Sequence, residues 1–148
     1  MHEYRGVIHV HSTYSDGKGC IERIADAANR TRADFVILTD HNTMKAREEG
    51  HEGRHGRVLL LVGEEITPDT NADHYLALGI TSTIEPSPDP AKNVDAVRRQ
   101  GGIGIIAHPT GGVFVKGEYV EYPWTNWEAG PFSGIEIWNH IYDITGKS

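Results

Sequence analysis

The run GVIHVHSTYSDG, Gly6 to Gly17, places two histidines one residue apart in an otherwise apolar, strand-like stretch and follows them with Ser-Asp-Gly. Successive side chains of a strand point to opposite faces, so His9 and His11 share one face while Ile8 and Val10 share the other. Two imidazoles where a buried strand normally carries Val or Leu need polar partners. A lone buried histidine is usually satisfied by a local hydrogen bond. A same-face pair with a carboxylate, Asp16, in the next turn fits metal binding better, because imidazole and carboxylate are common ligands of zinc and its neighbours. Similar residues close other apolar runs: Asp40 and His41 in TDH, Glu64 and Glu65 in GEE, and His108 in AHP.

The elements that must position these groups are readable as the apolar runs themselves. GVIHV, DFVILTD (34–40), VLLLVGEEI (58–66), HYLALGI (74–80), GIGIIAHP (102–109) and GIEIWN (134–139) read as buried strands of a mostly parallel sheet. Ile21, Ile24, Ala25 and Ala28 follow helical spacing and predict a crossover helix over 20–31. A second is predicted where Asp89 and Pro90 supply an N-cap and first turn, Val94 and Val97 face inward, and Arg98 and Arg99 precede Gly101. The polar, glycine-broken TMKAREEGHEGRHGR predicts a short helix with a mobile end. Alternating strands and helices make the fold class α/β. The candidate ligands then lie at the carboxyl ends of strands, the edge where α/β sheets and barrels build their sites.

One connection departs from this pattern. Only TPDTNAD separates the third strand from the fourth, whereas a parallel crossover needs about a dozen residues or more. An antiparallel hairpin follows, with Glu65 and His74 as neighbours. Residues 110–133, rich in glycine and aromatics (Phe114, Tyr119, Tyr122, Trp124, Trp127, Phe132), read as a pocket wall or as a covering loop.

At 148 residues the chain reads as one domain, with the 38% hydrophobic and 24% charged content of an ordinary soluble protein. It holds no apolar run of the ~18 residues a membrane helix needs and shows no signal peptide, so a cytoplasmic protein without a membrane partner is expected. The single Cys20 excludes an internal disulfide and a thiolate zinc knuckle, leaving the nine histidines and 21 acidic residues to hold any metal. A net charge of −7 argues against a general nucleic-acid surface.

Taken in order, these motifs resemble the PHP (polymerase and histidinol phosphatase) superfamily of metal-dependent phosphoesterases. The matching pieces are His9-x-His11 with Ser-Asp16-Gly, Thr-Asp40-His41, Gly63-x-Glu65, the His74-x-Leu-x-Leu-Gly strand, Ala-His108-Pro, and the Gly-Ile-Glu136-x-x-Asn139 strand. The resemblance implies a distorted (β/α)7 barrel, here incomplete with about six strands, whose mouth holds two or three divalent ions of zinc, manganese or iron. It implies His9, His11 and Glu65 on one ion, Glu65 bridging to a second with His74 and His108, and Asp16 with His41 on a third. Asp40 is expected to orient a ligand or water, with Asp40, His41 and Glu65 as the catalytic set. Lys18 and Lys116 are candidates for contacting the phosphate of a small phosphorylated substrate.

The expected activity is hydrolysis of a small phosphate ester or nucleotide by metal-activated water. A non-catalytic metal-binding module and a metal-dependent amidohydrolase are the alternatives. The Gly-Ser-Asp-x-His segment with which family members finish has no counterpart after Asn139, so the chain reads as a fragment, as a short form with an incomplete site, or as one whose missing ligands come from another chain; a full complement of tightly bound metal would instead point to His140 or Asp143 as replacements. His2, His51 and His55 read as solvated. An open barrel edge would also invite self-association.

Overall fold

The computed structural model describes residues 2–70 and 72–140, and Asp143 lies outside them. In chain order the elements are β1 (Gly6–Val10), α1 (Ile21–Arg30), β2 (Phe35–Leu38), α2 (Lys45–Glu48), β3 (Gly53–His55), β4 (Val58–Val62), β5 (Glu64–Ile66), β6 (Tyr75–Leu78), α3 (Pro90–Arg99), β7 (Ile103–Ile106), β8 (Thr110–Val115), β9 (Glu118–Pro123) and β10 (Gly134–Ile135). The fold is mixed α/β.

Two four-stranded sheets carry the site, in the orders β1-β2-β4-β3 and β10-β7-β6-β5. In the first, β1, β2 and β4 are parallel and β3 is antiparallel to β4. In the second, β10 is parallel to β7, while β6 runs antiparallel to both β5 and β7. The short connection after β5 thus makes the antiparallel hairpin its length dictates. One bent stretch of chain joins the sheets: β4 pairs in the first, Gly63 turns the backbone, and β5 pairs in the second, with a parallel bridge between His41 and Glu65. A Cβ at Gly63 would sit 2.4 Å from the carbonyl oxygen of Ala77. Gly63→Ala is therefore expected to destabilise the chain by about 1–3 kcal/mol. Urea unfolding checks this, and an unchanged midpoint would show that the bend tolerates a side chain.

No closed barrel forms among the described residues, where an incomplete one of about six strands was expected. The array ends at β1 on one side and at the two-residue β10 on the other, and no strand joins them among the described residues. The glycine-broken segment after β2 also differs from expectation. Gly50, Gly53 and Gly56 all have positive φ and reverse the chain, so only α2 is helical and the remainder supplies edge strand β3. Residues 110–123 form a β-hairpin that turns at Lys116 and Gly117, both at positive φ.

Local signals explain the two long helices. On α1, Ile21, Ala25 and Ala28 form the buried stripe. On α3, the Asp89 side chain accepts from the Ala91 amide at 3.1 Å, Pro90 opens the first turn, and Val94 and Val97 are buried. These stripes pack with Val36, Leu38, Leu60, Ile66 and Ile106 in the main core. A smaller cluster of Leu76, Leu78 and Ala107, with Ile37 from the first sheet and Ile105, fills the space where the two sheets face one another.

Candidate metal centre

Every sheet strand that reaches the mouth delivers a polar group there. His9 stands on β1 and His11 just beyond it, His41 follows β2, Glu65 lies on β5 and His108 follows β7. Because β6 is antiparallel, its beginning faces that mouth, and His74 immediately precedes it.

These side chains converge on Glu65. Its Oε2 lies 3.2 Å from His9 Nε2, 3.1 Å from His11 Nε2 and 3.3 Å from His41 Nδ1. Its Oε1 lies 2.9 Å from His74 Nδ1 and 3.1 Å from His108 Nε2. Glu65, His74 and His108 are almost fully buried. Val10 packs on the main core as the alternation requires. Ile8 and Val10 both also line the cavity, and the pairing with β2 has a register irregularity between Val7 and Val10.

Glu64, one residue earlier, takes the opposite face. One oxygen accepts from the Ile84 amide at 2.7 Å, and the other is buried with no hydrogen-bond partner among the described residues. Burial pushes this carboxyl up to about 7, against the amide's opposing effect. The folded state therefore favours the neutral acid, and its contribution is full below the usual carboxylate range and lost as pH rises toward 7. Glu64→Gln should flatten that dependence, gaining on the parent by on the order of 3 kcal/mol above pH 7. Denaturation midpoints at pH 5 and 8 check it, and parallel pH profiles would contradict it.

The residues fit a metal. A carboxylate offers about four lone-pair directions, yet five imidazole nitrogens crowd Glu65. His9 Nε2 and His11 Nε2 are also 3.1 Å apart. Ligands at ~2.0–2.1 Å from a tetrahedral ion lie roughly 3.3 Å from one another, so these spacings suit atoms sharing a cation. Two groups have candidate ligand atoms within 4.8 Å of one another: His9 with Glu65 and His108, and His11 with Asp16 and His41. The implied ion sets group His11 with His9 and His108 with His74, so the geometry pairs the same residues differently. His74 Nε2 is buried without a partner among the described residues, and with Nδ1 facing the Glu65 carboxylate it presents a lone pair held out of water.

Electrostatics point the same way. Burial would raise the Glu65 carboxyl, but bonds from His108, His11, His74 and His9 outweigh it and hold the group well below its usual range. Burial opposes charge on His9 too, yet Glu136 and Glu65 lift it to about 9; His11 is raised by Glu65 against the same opposition. On His41 and His108 burial prevails and lowers both. The cluster is an ionised carboxylate that draws positive charge onto its neighbours.

The remaining candidates fall around this core. Asp16 is mostly exposed and lies 2.9 Å from His11 Nδ1 and 3.7 Å from His41 Nε2. Asp40 is buried beneath the loop that carries Asp16, accepting from the Ser12 amide (2.7 Å), the Ser12 hydroxyl (2.7 Å) and the Ser15 hydroxyl (2.6 Å). Its contacts position that loop. A cavity of about 640 Å³ opens onto the cluster, and neither Lys18 nor Lys116 is among its lining residues; Lys116 sits at the exposed hairpin tip.

Several contributors went unassigned in the sequence. Thr67 Oγ1 lies 2.6 Å from His41 Nδ1, and the Glu136 oxygens lie 3.0 and 3.2 Å from His9 Nδ1. Trp138 and Asn139 line the cavity, as does His140, which the sequence offered as a candidate, and the ring of Tyr122, from the aromatic stretch read as a pocket wall or covering loop, packs 5.3 Å from that of His74. Glu136 carried a usable signal, since it occupies the strand-end position that supplies the other ligands. A lone Thr carried none.

No protein-family model matches the sequence. The chain is 25% identical over 114 residues to an uncharacterized protein of Methanocaldococcus jannaschii, a match spanning 69% of this chain and 66% of that one. Among solved structures it is similar to a two-domain protein from Bacteroides vulgatus containing a predicted PHP-like metal-dependent phosphoesterase, with 22% identity and a TM-score of 0.55. That likeness covers 72% of this chain and 35% of the Bacteroides chain. It is a likeness of fold.

Proposed function

We propose that this chain is a PHP-like metal-dependent phosphoesterase that hydrolyses a small phosphate ester or nucleotide. The observation that carries the reading is the convergence of five imidazoles on the buried Glu65 at the open end of the sheets. Two or three divalent ions of zinc, manganese or iron held there would supply Lewis-acid stabilisation of phosphoryl oxygens and acidify a water. His9, His11, His74, His108 and Glu65 hold the charge, Asp16 and His41 extend the site toward the cavity, and Asp40 fixes the loop that carries Asp16. The nearby hydroxyls are committed elsewhere: Ser12 and Ser15 donate to Asp40, and Thr67 Oγ1 faces His41 Nδ1. That favours direct attack by water over a covalent serine or threonine intermediate.

Among the described residues no Lys or Arg lines the cavity, so no lysine or arginine among them is placed there to neutralise a phosphate. This favours, as a second reading, a module that binds ions without turnover. Hydrolysis of small phosphomonoesters and nucleotides, measured with added manganese or zinc and again with chelator, separates the two. Metal-dependent release of phosphate is expected. Tight metal binding with no hydrolysis of any ester would transfer the case to the non-catalytic module, and cleavage of amides alone would favour an amidohydrolase.

A further inference from the structure

We infer that Glu136 is the positioning residue of this centre, fixing the His9 ring so that Nε2 presents a lone pair to a cation. The inference rests on the metal-binding part of the proposed function and not on hydrolysis. His9 has one nitrogen on each side of the problem. Its Nε2 faces Glu65 and His11, whereas its Nδ1 faces both Glu136 oxygens, at 3.0 and 3.2 Å. Which imidazole nitrogen keeps its proton is set by the bond the other makes, so a carboxylate at Nδ1 holds the proton there and leaves Nε2 to ligate.

The Glu136 carboxylate is itself held on several sides. Its Oε2 accepts from the His108 amide at 3.0 Å, and Asn139 Nδ2 donates to both oxygens at 3.3 and 3.2 Å. These bonds join β1, the segment after β7 and the segment after β10. No strand pairs β1 with β10 among the described residues, so no backbone ladder there sets the placement of the His9 ring relative to Glu136. The carboxylate does so instead. Other outer nitrogens of the cluster have weaker supports: His11 Nδ1 and His41 Nε2 both meet Asp16, at 2.9 and 3.7 Å, and its side chain is 71% exposed. The Glu136 and His9 side chains are only 10% and 9% exposed.

The test compares the parent chain with Glu136→Gln and Glu136→Ala, using zinc alone as the probe. Zinc affinity is measured by competition with a chromophoric chelator, and the protonation of each His9 ring nitrogen by 15N NMR of the zinc-loaded protein. Parent protein should show a proton on His9 Nδ1 and the metal on Nε2. Glu136→Ala should weaken zinc binding about 10–100-fold and lose that pattern. Glu136→Gln keeps an acceptor oxygen but not the charge, and should fall between. A lower melting temperature with unchanged zinc affinity and unchanged His9 pattern would reduce Glu136 to a structural strut and overturn the inference. Loss of a whole zinc equivalent in Glu136→Gln, with the His9 pattern intact, would make Glu136 a ligand and overturn it as well. If Glu136→Ala does not fold, Glu136→Gln decides by the same two readouts. Zinc binding without phosphatase activity leaves the inference fully testable, whereas a parent that binds no zinc overturns both it and the metal centre.

Discussion

Glu65→Ala should remove the metal centre as a unit. Five imidazoles from four separate segments share this carboxylate, which is 1% exposed, so its loss strips the common partner from all of them at once. Substituting a residue that merely orients a ligand lowers metal affinity about 10–100-fold, and the loss here should exceed that range. The metal-free protein should suffer too. His9 and His11 hold raised pKa values partly because of Glu65, and breaking a buried charged pair from one side costs about 3–5 kcal/mol. Metal content after dialysis and urea unfolding of the metal-free forms measure the two effects. Parental metal content in the variant would remove Glu65 from the centre of this account.

Metal stabilisation should grow with pH. In the metal-free protein His9 is lifted to about 9, with burial opposing and Glu136 and Glu65 prevailing, and His11 is raised by Glu65 against its burial. A histidine raised in the fold stabilises it fully below its ordinary value near 6.5, and that contribution is lost as pH climbs through about 9. A cation needs the same nitrogens without their protons, so its affinity runs the opposite way, rising roughly tenfold per pH unit for each proton displaced. At pH 8, with free zinc at about 100 times its dissociation constant, one site adds roughly 2.7 kcal/mol. For a chain of this size that is a shift of roughly 5–10 °C. The gap between metal-free and zinc-containing melting curves at constant free zinc should narrow from pH 8 to pH 6. A gap that is constant, or widens on acidification, would contradict displacement of these protons.

Much of this was legible because strands and helices announce themselves by spacing. The helices at 21–30 and 90–99 follow from apolar stripes with a cap or stop, and the β5–β6 hairpin follows from a connection too short for a crossover. The paired histidines of β1 reach one carboxylate, and Glu65 rather than Glu64 faces them, because neighbours on a strand cannot share a face. Four features depended on contacts that one-dimensional patterns do not encode. Glycines at positive φ put strand β3 where the mobile end of a short helix was expected. The Gly63 bend passes one strand between two sheets through a close approach to Ala77. Asp40 lies beside His41 in sequence but spends its oxygens on Ser12 and Ser15, a partnership made only when the loop folds over it. Glu136 acts through His9, 127 positions away, where a β-strand pattern has nothing to say.

The most direct measurement is anomalous diffraction at the zinc absorption edge from crystals of this chain grown with zinc. The account predicts a strong peak within about 2.0–2.2 Å of His9 Nε2 and of a Glu65 carboxylate oxygen. Zinc confined to outlying histidines such as His2 or His51, with the Glu65 cluster empty, would contradict it.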